Sequence, residues 1–504
     1  MLMNSTRTYE YKDKEEFLNW TYQDSELVIG LVGAVGTEQQ RIVQIIKDRL
    51  KAYRYETEEI RVSRDVIGKI YEISDTTNEF ERISTTMDLG NLARKESGDN
   101  GILAFGVAQE IMKRRKSPGR PEKRKAYIVN SLKHPKEVER LREIYTSGFY
   151  LFGIHSDEQR RLEYLVNNKR IKEENAKKLI QRDMNEEEGH GQQTRDTFQM
   201  ADFFIHLDRD HDQVEKSIWR ILDLMFGHPY ITPTFDEFAM FMAFISALRS
   251  ADLSRQVGAV IAKDEEIIAM GANDTPRFGG GLYWPTLDRE TNCIVDAPDG
   301  RDYKRGYDSN KIEQAKIMKD IAEILGLDEE GIKKLKRSRI KDITEYGRVV
   351  HAEMEALMMC ARNQVSARGA TIYCTTFPCH NCAKHIISAG IKQVVYIEPY
   401  PKSKAFEFHD DSITDDPKQK DGKVLFSPFV GIGPRRFFEL FSMSLSSGIK
   451  KVRKDSKGYI IDWQPEQANL RLQLVPFSYL DKEMSATSTF IRKWSEKNGK
   501  EDQS

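Results

Sequence analysis

Two short runs, His351-Ala352-Glu353 and Pro378-Cys379-His380-Asn381-Cys382, constrain this chain more than any other feature. A catalytic zinc ion takes three protein ligands and keeps its fourth tetrahedral position for water, so His351, Cys379 and Cys382 make a set with one position open. A structural site would add a fourth protein ligand. None stands nearby except His380, which lies between the cysteines, awkwardly for the same ion. Cys379 and Cys382 are spaced for the first turn of a helix, where both sulfurs face one way and the dipole favours thiolate. Pro378 suits that start because it has no amide hydrogen to lose. Zinc lowers the pKa of water from 15.7 to roughly 7. Glu353, two residues beyond His351, is placed to move protons, not to hold the metal. Periodicity predicts helices over 351–362 and 381–389 and strands over 370–375 and 393–397. Both metal halves then lie at helix N-termini above a sheet.

H-x-E followed by P-C-x-x-C is the signature of zinc-dependent base deaminases. At these residues the chain resembles the cytidine and deoxycytidylate deaminase family. Ser254-Arg255-Gln256-Val257-Gly258-Ala259-Val260-Ile261, then Gly271-Ala272-Asn273-Asp274-Thr275-Pro276, resembles the first two strands of a deoxycytidylate deaminase and its G-x-N-x-x-P turn. The resemblance implies a cytidine-deaminase-like α/β/α domain with Zn2+ as cofactor, Glu353 as acid/base, Asn273 on the sugar of the nucleotide and Arg255 on its phosphates. The chain departs from the family at two places. Glu355 stands where Asn is usual, and an insert over about 278–347 lengthens the connection to the zinc helix.

The N-terminal half carries a second motif. Leu27-Val28-Ile29-Gly30-Leu31-Val32-Gly33-Ala34-Val35-Gly36-Thr37 runs from a buried strand into a Gly-rich turn, and an amphipathic helix follows over 38–50. Against G-x-x-x-x-G-K-[ST], Gly30 and Thr37 fall in place, but Val35 replaces the second Gly and Gly36 the Lys. Backbone amides at a helix start hold phosphates without that lysine, so Gly30, Gly33, Ala34, Gly36 and Thr37 are expected to bind a nucleotide without transferring its phosphoryl group. Strands over 126–130, 149–154 and 198–206, with helices over 101–115, 137–144 and 213–226, resemble small P-loop kinases and imply a three-layer α/β domain. The basic run 113–125 reads as a solvated loop.

These readings divide the 504 residues into an N-terminal extension (1–24), a P-loop kinase-like domain (25–228), a deaminase domain (234–480) and a tail (481–504) whose last dozen residues are expected to be disordered. A net charge of -1 argues against a large nucleic-acid surface. No run approaches 18 apolar residues and the first residues are polar, so a cytoplasmic protein without membrane span or signal peptide is expected. Of the five cysteines, Cys360 and Cys374 sit in apolar patterns and Cys293 in the insert.

The combination resembles the bacterial anti-phage dCTP deaminases. It implies conversion of dCTP to dUTP, free dCTP or dCMP as substrate, a regulatory nucleotide at the N-terminal domain, and a homo-oligomer. A housekeeping dCMP deaminase is one alternative. A polynucleotide cytosine deaminase is another, and would want a basic groove with stacking aromatics, for which Phe406, Phe408, Phe437 and Phe438 are the candidates. A nucleotide sensor with a structural metal is a third.

Overall fold

The computed structural model describes residues 24–71, 78–116, 121–184, 191–207, 210–400, 403–444, 450–472, 483–484 and 486–493. All but the last residue of the expected extension, part of the basic run at 113–125 and residues 494–504 lie outside the described residues. The chain forms two compact units, one of Met1–Ala201, Ile205–Ile231 and Phe438–Ser504, the other of Asp202–Phe204 and Thr232–Phe437. The deaminase domain was expected to run to 480. The second unit instead ends at Phe437, because the later chain packs into the first unit. Glu483 shows why: it is fully buried against Arg115, whose Nη2 is 3.0 Å from its Oε1 and 2.8 Å from Glu26 Oε2. Burying one cation between two carboxylates is tolerable only with hydrogen bonds of this quality.

The first unit is built on β1 (Leu27–Gly33), β2 (Glu56–Arg61), β3 (Lys125–Asn130), β4 (Phe149–His155) and the end of β5 (Phe203–His206). Every residue of β1 is buried, as a central strand covered on both faces requires. The strand order is β5-β4-β1-β3-β2, with β1 parallel to β3 and β4, and β2 parallel to β3. Helices α1 (Gln39–Ala52), α2 (Pro135–Tyr145) and α3 (Glu173–Met184) are among those that alternate with these strands. This is a doubly wound layout, in which ligands collect beyond the C-terminal ends of the strands.

In the second unit, α4 (Phe235–Ala247) precedes the hairpin of β6 (Gly258–Lys263) and β7 (Glu266–Ala272). The insert then folds as a small hairpin, β8 (Thr286–Asp288) with β9 (Cys293–Val295), followed by helical segments that include α5 (Ser309–Ile324). Arg301 ties its base down, with Nη1 3.2 Å from Asp296 and Nε 3.4 Å from the buried Asp274, while Arg348 donates to Asp302 at 2.7 Å. Next come α6 (Ala352–Arg362), β10 (Thr371–Thr376), α7 (His380–Ser388), β11 (Gln393–Glu398), β12 (Ile413–Thr414) and β13 (Val424–Pro428). The sheet order is β12-β13-β11-β10-β6-β7, with β10 antiparallel to β6 and parallel to β11. Two glycines let helices lie on this sheet. A Cβ at Gly258 would strike the Ala243 carbonyl of α4, and one at Gly271 the Ala352 carbonyl of α6. The first turn of α6 is thereby held against β7, and His351 with it.

Candidate active site

His351 is the N-cap of α6, and Cys379 the N-cap of α7, directly after the turn that leaves β10. His351 Nδ1 lies 3.4 Å from Cys379 Sγ and 3.4 Å from Cys382 Sγ. Zinc–nitrogen and zinc–sulfur bonds of about 2.0 and 2.3 Å at tetrahedral angles span about 3.5 Å between donor atoms, so the three side chains fit one zinc ion. The Cys382 amide donates to Cys379 Sγ at 3.4 Å. Cys379 is drawn down to about 4, first by its hydrogen bond with Cys382. Cys382 is pushed up by that same bond and by burial, so the pair shares one proton with the thiolate on Cys379. The Cys379 hydrogen bond lifts His351 to about 9. Metal binding displaces these protons.

Glu353 is 4% exposed and sits in the first turn of α6. Burial raises the pKa of its carboxyl above the ordinary value, the direction that favours holding a proton. It lines a cavity of about 1060 Å3 together with His351 and Cys379. Asn273 and Arg255 line it too, as do Asp302, Lys311, Gln314 and Arg339 of the insert and Tyr400, Lys404 and Phe408 beyond β11. The space exceeds that of ordinary small-molecule sites, roughly 300–1,000 Å3.

The expected substrate residues are already engaged in the fold. Asn273 accepts from the Val257 amide at 2.7 Å and donates to the Arg255 carbonyl at 2.8 Å, stapling the β7 turn to the chain before β6. Arg255 is 3.3 Å from Glu398 and lies over the Tyr400 ring. Glu355 is buried against Arg362 at 2.5 Å and is not among the cavity's lining residues. Of the basic residues at 333–339, Arg339 lines the cavity, whereas Lys334 pairs with Glu330 on the helix surface. Lys311, Tyr400 and Lys404 were not singled out by the sequence. Of the candidate stacking aromatics, Phe408 reaches the cavity; Phe406 packs on Phe377 and Phe437 stacks on Phe241.

In the first unit, Gly33, Ala34, Gly36 and Thr37 line a cavity of about 270 Å3. Gly30 does not: it lies inside β1, where a Cβ would meet Leu132 and Phe149. Gly36 has φ +85° and faces the Arg161 carbonyl, a place only glycine fills without strain. A carboxylate already occupies the loop. Asp183 of α3 accepts from the Val35 amide at 2.8 Å, from Lys133 Nζ at 3.1 Å and from Thr194 at 3.2 Å. Lys133, from the turn after β3, thus brings a cation to a loop whose own sequence lacks the lysine.

Among the described residues no helix is long and apolar enough to cross a membrane. The family model for the cytidine and deoxycytidylate deaminase zinc-binding region matches residues 233–398. The deoxycytidylate deaminase of Enterobacteria phage T4 is 34% identical over 166 residues, covering 32% of this chain and 77% of that protein. The mouse (Mus musculus) deoxycytidylate deaminase is 28% identical over 207 residues, covering 41% and 81%. A dCMP deaminase structure from the cyanophage S-TIM5 aligns with 20% identity over 40% of this chain and 100% of its own, with a TM-score of 0.23.

Proposed function

The chain belongs to the cytidine and deoxycytidylate deaminase family, enzymes of hydrolytic nucleotide deamination, and on that premise we propose that it converts dCTP to dUTP and so depletes a precursor of phage DNA. The observation that carries the triphosphate reading is the cavity beside the metal residues, which extends into the insert and there meets Lys311 and Arg339. Charge-assisted contacts to added phosphates are about twice as strong as neutral hydrogen bonds, so a site with such cations discriminates by phosphate count.

Zinc, when bound by His351, Cys379 and Cys382, supplies the Lewis acid that activates water. The chain's own contribution is proton traffic. Glu353 takes one proton from water and delivers it to N3 of the cytosine ring as the oxygen adds to C4, then takes the remaining proton from the C4 hydroxyl and gives it to the departing amine. The C4–N4 bond breaks, the water oxygen remains on C4, and ammonia leaves. The buried Glu353 carboxyl suits both halves, because its raised affinity for a proton places it between base and acid.

The glycine-rich loop of the first unit is proposed to bind the phosphates of a regulatory nucleotide without phosphoryl transfer. Asp183 at the loop is the group that such a phosphate has to replace.

A second reading has an observation of its own: the matched relatives are named deoxycytidylate deaminases, which act on the monophosphate. Incubating purified protein with dCTP, dCMP, CTP, single-stranded DNA and RNA, and measuring deaminated product, separates the readings. Expression in infected cells then tests defence, through the dCTP pool and plaque number of the parent against Glu353→Ala. An unchanged pool with the parent sinks the defence reading.

A further inference from the structure

His155 ends β4 and His206 ends β5, the neighbouring strand of the first unit's sheet. Both imidazoles therefore emerge at the C-terminal edge, where a doubly wound sheet collects ligands. Their ring centroids are 4.8 Å apart. Asp157, two residues past His155, sits at the N-cap of the helix Glu158–Glu163 yet makes no capping hydrogen bond with its side chain. An N-cap aspartate ordinarily accepts from the first free amides of its helix. This one turns to the histidines, with Oδ1 3.3 Å from His155 Nε2 and 3.6 Å from His206 Nε2.

From this geometry we infer a second metal site, in which His155, Asp157 and His206 hold a divalent first-row transition ion. Metal–nitrogen and metal–oxygen bonds of about 2.0–2.2 Å at tetrahedral or octahedral angles require donor separations of about 3 to 3.5 Å, and one donor atom from each of the three residues falls within 4.8 Å of the others. The donor set is two imidazoles and one carboxylate, with no sulfur. It suits zinc, iron(II), cobalt(II) or nickel(II) and leaves positions open for oxygen ligands. The residues are partly exposed, so an ion enters from solvent without opening the core. The other histidine–carboxylate group outside the thiolate site, His211, Asp212 and Glu215, differs in kind: it lies along one exposed first turn of a helix, where such side chains are ordinary surface charge.

The test uses the untagged full chain, stripped by chelator and titrated with Co2+. The thiolate site reports itself by sulfur-to-cobalt charge transfer, while the nitrogen–oxygen site gives only weak ligand-field bands. The expected result is two ions per chain. His206→Ala and the exposed Asp157→Asn each lose the equivalent without charge transfer, and keep the charge-transfer band and cytidine-nucleotide deamination within about twofold. Cys379→Ala loses the opposite equivalent. One equivalent in the parent, or a second that survives His155→Ala/His206→Ala, overturns the site. Because deamination is measured separately, failure here leaves the reading of the thiolate centre standing.

Discussion

Glu353 and Asn273 are the residues whose roles separate most cleanly by substitution. On the proposed mechanism Glu353 moves protons and holds no metal, so Glu353→Ala should lower deamination by about 10²–10⁴-fold while zinc content stays at the parent level. His351→Ala, Cys379→Ala and Cys382→Ala should lose zinc and activity together. Metal analysis beside steady-state rates decides this, and substantial turnover by Glu353→Ala removes the mechanism. Asn273 is a subtler case because both ends of its amide are committed to backbone groups. Asn273→Asp keeps the acceptor for the Val257 amide and loses the donor to the Arg255 carbonyl. We expect a stability loss of about 1–3 kcal/mol in urea unfolding. A variant of parental stability would leave the turn staple without energetic weight. The same contrast explains what the sequence could disclose. His351 with Glu353, and Cys379 with Cys382, announce themselves through spacings of two and three residues, whereas Lys311, Tyr400 and Lys404 reach the cavity from the insert and the chain beyond β11, and no local pattern marks them.

At the scale of elements, helix starts carry both a pH dependence and the glycine-rich loop. His134 caps α2, its Nδ1 accepting from the Lys136 amide at 3.1 Å, and burial pushes its pKa down to about 4. The folded state therefore keeps it neutral, while the unfolded chain binds a proton near 6.5. Its stability contribution is complete above about pH 6.5 and is lost as pH falls from there toward 4, by about 2–3 kcal/mol. His134→Asn retains a cap and cannot titrate, so the difference between the two unfolding profiles at pH 7 and pH 5 should isolate that loss; parallel profiles would refute it. At the glycine loop, Asp183→Asn removes the negative charge that now engages the Val35 amide and Lys133, so affinity for a nucleoside triphosphate should rise several-fold. A fluorescent nucleotide titration measures the rise, and the parent should hydrolyse no ATP. Robust hydrolysis abolished by loop mutation would defeat the binding-only view. The strand-to-glycine-turn pattern was readable because it is local. Asp183 was not, since it stands 148 residues from the amide it meets.

For the molecule as a whole, the longest contacts decide what the sequence concealed. Glu483 meets Arg115 across 368 residues, which is why the C-terminal chain groups with the first unit, although the expected deaminase domain runs to 480. The deaminase unit itself was legible because its strand-helix alternation and metal spacing agree with each other, whereas the insert offered charge and helical patches such as 311–325 but no chemical motif. The cavity gives that charge a location, and with it a prediction about substrate. If Lys311 and Arg339 meet phosphates beyond the first, kcat/KM should favour dCTP over dCMP, with cytosine in DNA or RNA poorer than either. Lys311→Ala and Arg339→Ala should then lower kcat/KM for dCTP by about tenfold, equivalent to about 1.4 kcal/mol, and leave dCMP within about twofold. Arg255→Ala, at the residue expected to meet the phosphate that both nucleotides share, should lower both. A parent enzyme that prefers dCMP, or insert variants that weaken both nucleotides equally, would return this chain to monophosphate metabolism and leave the cations of the insert to some other task.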